Sequence, residues 1–178
     1  KFTDISPYST ALVAFIFDHP EFYWISNFNI YWKSTETSYT ISLEAVYYDN
    51  VTPDGIINGK SYTYSDFLNA VDTFYNQCIK NVDLNNRYSV LKSFHDKICN
   101  TTYYTDSSSD GFIYTAGDIF LSIFDNSKKR EAVCAGYSKA FKILCDKANI
   151  PCMNVVGTGV TSSSSSSHEW NIVQMEDS

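Results

Sequence analysis

Two rhythms of apolar residues run along this chain, one helical and one alternating. Phe67, Val71, Phe74, Tyr75, Cys78, Ile79 and Val82 fall on one helical face and predict a helix opening at Ser65. A second helix follows from Asn86 to Asn100, where Val90, Leu91, Phe94 and Ile98 form the stripe. Ala116 to Phe124, with Ile119, Phe120, Ile123 and Phe124, reads as a third. After Val133 the positions Tyr137, Ala140, Phe141, Leu144 and Ala148 keep helical spacing, so Cys134 stands in the first turn of a core-packed helix. Asn149-Ile150-Pro151 ends it, because proline lacks an amide donor and disfavours helical geometry before it.

Strand rhythm lies at both ends. Phe28 to Trp32 and Tyr39 to Tyr48 read as two strands, since Ile41, Leu43, Ala45 and Tyr47 alternate with polar neighbours. Cys152 to Thr158 and His168 to Met175 read as two more, and alternation puts His168, Trp170 and Ile172 on one face with Glu169, Asn171 and Val173 on the other. Thr161 and the serine run Ser162 to Ser167 between them are expected to be a mobile loop. Thr101 to Gly111 is polar, with Ser107-Ser108-Ser109-Asp110-Gly111 expected as an exposed loop, and the charged stretch Asp125 to Glu131 is expected at the surface. Ser9 to Phe17 predicts a short buried helix capped by Ser9 or Thr10. Helices followed by strands predict an α+β fold with an antiparallel sheet. The expected division is a scaffold segment, residues 1–64, packed on a core formed by 65–178.

Composition narrows the class. Hydrophobic residues at 44% and charged residues at 19% describe a folded chain with a sizeable core. A formal charge of −7 argues against nucleic acid or an anionic membrane as partner, because both are bound through clustered Lys and Arg. The one basic run, Lys128-Lys129-Arg130, reads as a solvated turn. No apolar stretch reaches the length of a membrane span, and no acidic loop has a calcium-site pattern, so no metal or cofactor is expected. The five cysteines, Cys78, Cys99, Cys134, Cys145 and Cys152, lack the tight spacing of a zinc site or redox dithiol. Cys78 and Cys99 read as small buried hydrophobes. Cys145 and Cys152 either pair or are a helix thiol and a strand thiol in their own right.

Candidate chemistry gathers at Cys134 and His168. An ordinary thiol is mostly protonated at neutral pH, so a nucleophilic cysteine needs surroundings that favour the thiolate. A helix start supplies unsatisfied amides and the positive end of the helix dipole, and a nearby imidazolium adds a full charge. Gly136, inside that first turn, lets substrate backbone or a neighbouring strand approach closely. His95, beside Asp96 and an apolar stripe, is expected to anchor its helix by a hydrogen bond.

Ala132-Val133-Cys134-Ala135-Gly136-Tyr137-Ser138-Lys139-Ala140-Phe141 with Leu144, then Ile150-Pro151-Cys152 and His168-Glu169-Trp170-Asn171, resemble the core of the transglutaminase-like superfamily. His95-Asp96-Lys97-Ile98, Asn100-Thr101-Thr102-Tyr103-Tyr104, and Asp18-His19-Pro20-Glu21-Phe22 with Trp24 resemble its bacterial branch. The resemblance implies a papain-like core, with the nucleophile helix packed on an antiparallel sheet. It further implies acyl transfer or hydrolysis on protein or peptide amides, with Cys134 as nucleophile and His168 as base. The Cys134 amide and the Tyr104 hydroxyl are expected to hold the oxyanion, and Trp170 to shield His168. The family's third catalytic residue is usually an Asp on the strand after the His strand. This sequence ends at Glu176-Asp177-Ser178, which reads as the turn into that strand, so the core is expected to continue beyond it. The missing strand would leave the His168 to Met175 edge open to another chain. An extracellular or cell-surface location is expected, and the rivals to an enzyme are a binding module of the same fold and an aromatic-rich carbohydrate-binding domain.

Overall fold

The computed structural model describes residues 6–57, 60–105, 111–124 and 130–175. Most of the Asp125 to Glu131 connection, the serine stretch from Ser107 to Ser109, and the closing Glu176-Asp177-Ser178 lie outside the described residues.

Helix α1 (Ser6–Asp18) is followed by the antiparallel pair β1 (Ile25–Ser34) and β2 (Tyr39–Tyr47), then by a small pair, β3 (Gly55–Ile57) and β4 (Lys60–Tyr62). Helices α2 (Tyr64–Ile79) and α3 (Arg87–Thr101) come next, and β5 (Thr102–Tyr104) leaves α3 directly. A 3-10 turn over Gly111–Tyr114 precedes α4 (Gly117–Leu121). Strand β6 (Arg130–Ala132) leads into α5 (Cys134–Lys147), and β7 (Cys152–Val160) with β8 (Ser165–Val173) forms the last antiparallel pair. The class is α+β, with α5 packed on that pair.

The expected stripes are the faces that fold inward. Phe67, Val71, Phe74 and Cys78 of α2 and Val90, Leu91, Phe94 and Ile98 of α3 are buried in one cluster with Ile119, Phe120, Ala140 and Leu144. Tyr23, Val51 and Tyr62 enter the same cluster, so the N-terminal segment contributes directly to this core. Thr63 starts α2 with a reciprocal cap: its hydroxyl accepts from the Asp66 amide, and the Asp66 carboxylate accepts from the Thr63 amide.

Three expectations need correction. Helix α1 buries none of its residues, because its apolar run is contiguous and offers no single stripe to the core. Phe15 packs against Phe22 and Phe28 at ring distances of 5.7 and 5.9 Å. The serine run is not a loop throughout: the turn closes at Thr161 and Ser164, where the Thr161 amide donates to the Ser164 carbonyl at 2.8 Å, and Ser165 to Ser167 already pair with Val160 to Thr158. Backbone pairing asks nothing of the side chain, so hydropathy could not register it. Gly111 is buried rather than in an exposed loop, its amide donating to the Asp49 carbonyl at 3.2 Å.

A parallel pair between β5 and β6 was not legible in the sequence. It matters because β6 delivers the chain to Cys134. Asp118, buried in α4, accepts from the Glu131 amide at 3.0 Å, and the Val133 amide donates to Ile113 at 3.0 Å. The approach to α5 is thereby held on two sides.

Candidate active site

Cys134 occupies the first helical position of α5, after Val133 in extended conformation. Val133 offers no side-chain cap, so the first amides of α5 keep the unsatisfied donors that any helix start presents. The following turn is set against backbone: a Cβ on Gly136 would lie 2.8 Å from both the Ile113 carbonyl oxygen and the Ala132 Cβ. The glycine reading therefore holds in the sense of close approach by a neighbouring segment.

A cleft of about 300 Å³ opens beside Cys134. Helix α5 forms its floor through Cys134, Tyr137, Ser138 and Phe141. Helix α3 supplies His95, Ile98 and Cys99, β5 supplies Tyr104, and β8 supplies His168 to Asn171. The structure thus brings Cys134, His168, Tyr104 and Trp170 to one cavity. Among the described residues no hydrogen bond joins Cys134 to His168.

His168 lies exposed on the outer face of β8. Its ring stacks on Trp170 at 6.3 Å, and Trp170 lies over Gly157, where any Cβ would meet the indole at 2.6 Å. Gly159 lies close to His168 in the same way, with its Cβ position falling 3.2 Å from the His168 Cβ. Two glycines of β7 thus leave room for the His168 and Trp170 side chains. Tyr104 is 61% exposed and stacks on Tyr137 at 6.1 Å, while the Tyr137 hydroxyl donates to the Thr102 carbonyl at 2.8 Å.

The inner face of β8 carries what sequence reasoning passed over. Glu169 is only 9% exposed, and its carboxylate accepts from the Ser138 hydroxyl at 2.7 Å. Asn171 donates to the Ser138 carbonyl at 3.0 Å and to the Asn154 side chain at 2.7 Å. Both side chains grip one residue of α5, a turn beyond Cys134. They set the strand of His168 against the helix of Cys134. Alternation had placed Glu169 and Asn171 on this face, but a charged residue gives no sign that it will be buried.

Burial raises the Glu169 carboxyl above its ordinary value, with Lys139 and the Ser138 hydrogen bond offsetting part of the effect. In the window between the unfolded and folded values the folded chain keeps a proton that the unfolded chain has lost. This carboxyl therefore stabilises the fold fully below the ordinary glutamate value of 4.5, and that contribution is lost as pH rises through the folded value. Glu169→Gln keeps an acceptor for Ser138 and carries no charge. Its unfolding midpoint is expected to exceed that of the native chain at pH 7, by a margin that shrinks as pH falls through the folded value towards 4.5; a margin independent of pH would refute the account.

His95 does not anchor α3 to anything else. Its bonds stay within the helix, to Asp96 at 3.1 Å and the Cys99 thiol at 3.6 Å, and its side chain is 67% exposed. Cys99, expected to be buried, is exposed beside it. The spacing of His95, Cys99 and Ile98 was the signal that they share a face. Among the described residues no group of His, Cys, Asp and Glu is arranged to hold a metal ion.

No family profile matches the sequence, and no curated protein matches it. The chain is similar to two solved structures. One, from Cytophaga hutchinsonii, is described as a candidate cysteine protease; it is 16% identical with a TM-score of 0.43, over 84% of this chain and 61% of that one. The other is described as a TGase; it is 14% identical with a TM-score of 0.48, over 99% of this chain and 46% of that one. This chain spans less than two thirds of the length of either.

Proposed function

We propose that this chain is a transglutaminase-like cysteine enzyme that performs acyl transfer or hydrolysis on protein or peptide amides. One observation carries the reading: a cysteine at the start of a core-packed helix and a histidine on the adjoining strand line a single cleft. In the proposed reaction the Cys134 thiolate attacks the amide carbonyl, and the oxyanion accepts from the Cys134 amide and the Tyr104 hydroxyl. His168 protonates the departing amine or ammonia, leaving a thioester on Cys134. His168 then takes a proton from water or an acceptor amine as that nucleophile releases the acyl group. Trp170, stacked on His168, covers one face of the otherwise exposed imidazole.

The proposed partners are protein or peptide substrates, with an extracellular or cell-surface location. Strand β8 pairs only with β7 among the described residues, and its other edge is open to a strand of another chain. No helix among the described residues is long and apolar enough to cross a membrane.

A second reading, a catalytically incomplete module of the same fold used for protein or cell-surface binding, is favoured by the lack of a hydrogen bond between Cys134 and His168. Thiol chemistry separates the two. Burial pushes the Cys78 thiol up to about 12, and the interaction with Cys152 together with burial raises that of Cys145. Residue-resolved iodoacetamide labelling at pH 7 is expected to modify Cys134 at least ~10-fold faster than either. A Cys134 no faster than Cys78 or Cys145 would sink the enzyme reading.

A further inference from the structure

The turn from α5 into β7 holds two thiols together. Cys145 is fully buried in the last turns of α5, and Cys152 opens β7 opposite Val173 of β8. Between them the chain reverses at Asn149, whose φ of 54° lies in the left-handed region that Asn tolerates. The Ile150 amide donates to the Cys145 carbonyl at 2.9 Å, and the Gln174 amide to the Pro151 carbonyl at 3.0 Å. These bonds fix both ends of the turn. Cys152 packs against the same core cluster that holds Cys145 and Ile150, the two thiols interact across the turn, and both are free.

We propose that Cys145 and Cys152 form a reversible disulfide that fastens the C-terminal end of the nucleophile helix to the strand pair carrying His168. The assignment rests on the geometry of the turn and is independent of the catalytic reading.

The two thiols are unequal in a way that sets the order of events. The interaction with Cys145, with the Lys142 ammonium nearby, holds the Cys152 thiol below its ordinary value, while Cys145 is held above its own. Cys152 is also the more exposed of the pair. With a low-molecular-weight disulfide such as oxidised glutathione, the Cys152 thiolate attacks one sulfur and expels a glutathione thiolate. Capping Cys152 removes the partner that held the Cys145 proton. The Cys145 sulfur then gives up that proton and attacks the Cys152 sulfur, releasing the second glutathione as a thiol. Two protein thiols are oxidised, and one glutathione disulfide is reduced to two thiols. Such a bond persists in an oxidising compartment and opens in a reducing one.

The test uses the full chain equilibrated in glutathione redox buffers, quenched in acid, blocked with N-ethylmaleimide and cleaved with trypsin. Cleavage after Lys147 separates the two cysteines, so the bond appears as two linked peptides that dithiothreitol parts. The expected main oxidised product is the Cys145 to Cys152 link, accompanied by a rise of about 5 °C in the unfolding midpoint that dithiothreitol reverses. Cys152→Ser, at a partly exposed position, is expected to fold and to lose both signals. Glutathione stably attached to Cys152, a Cys99 to Cys134 link as the main product, or a Cys145 to Cys152 link that leaves the midpoint unmoved would each overturn the proposal.

Discussion

Under the proposed reaction, Cys134→Ala is expected to remove acyl transfer, and His168→Ala to lower it by about 10³-fold. Without the Cys134 sulfur no thioester forms, and the oxyanion donors and the cleft remain with nothing to deliver. What survives is the effect of binding and oxyanion donation alone, so the rate is expected to fall by about 10⁴-fold or more. Loss of His168 is less severe because the nucleophilic sulfur remains, but the leaving amine then departs without a proton donor. Three readouts on a carboxamide peptide distinguish the reactions: incorporation of a labelled amine, release of ammonia, and cleavage of the chain. Cross-linking, deamidation and proteolysis share the acyl-enzyme, so Cys134→Ala must abolish whichever is found. A retained activity identifies another nucleophile.

Substituting Gly136 is expected to damage stability and site together. In an ordinary helix Gly→Ala gains about 1 kcal/mol from propensity. Here the added carbon meets the Ile113 carbonyl oxygen and the Ala132 Cβ at 2.8 Å, and the Thr115 carbonyl oxygen at 3.0 Å. Backbone cannot step aside as the tip of a long side chain does, so overpacking costs up to about 3 kcal/mol and wins by about 2 kcal/mol. Gly136→Val adds bulk without that propensity gain and is expected to cost more. Because Ile113 also accepts from the Val133 amide, a shift there moves the approach to Cys134. Denaturant unfolding of Gly136→Ala, read alongside Cys134 labelling, checks both parts. A variant as stable as the native chain would show that the segment Ile113 to Thr115 yields freely.

The helices at the centre of this fold were legible because their burial is one-sided. The stripe from Phe67 to Cys78 and the stripe from Val90 to Ile98 are the residues that reach the core, and boundaries shifted by a residue except at the end of α2, where Val82, read on the stripe, lies three residues past Ile79. Helix α1 misled because a contiguous apolar run does not reveal how much of it will be covered. The β5 to β6 pair is too short to show a period, and Ser165 to Ser167 joined a strand through backbone alone. That Cys134 and His168 share one cleft was readable from position and motif, while the grip of Glu169 and Asn171 on Ser138 was not. A buried carboxylate depends on what stands opposite it, and nothing in its own neighbourhood along the chain announces the partner.

Denaturing mass spectrometry of the full chain, quenched in acid while it turns over a carboxamide peptide, reads the thioester itself. The expected species is the chain plus the carboxamide peptide less ammonia, mapped to Cys134, absent from Cys134→Ala and discharged by an added amine. A turning-over enzyme that never carries that adduct, or that carries it on Cys99 or Cys152 while Cys134 stays unmodified, would contradict the assignment of Cys134 as the nucleophile.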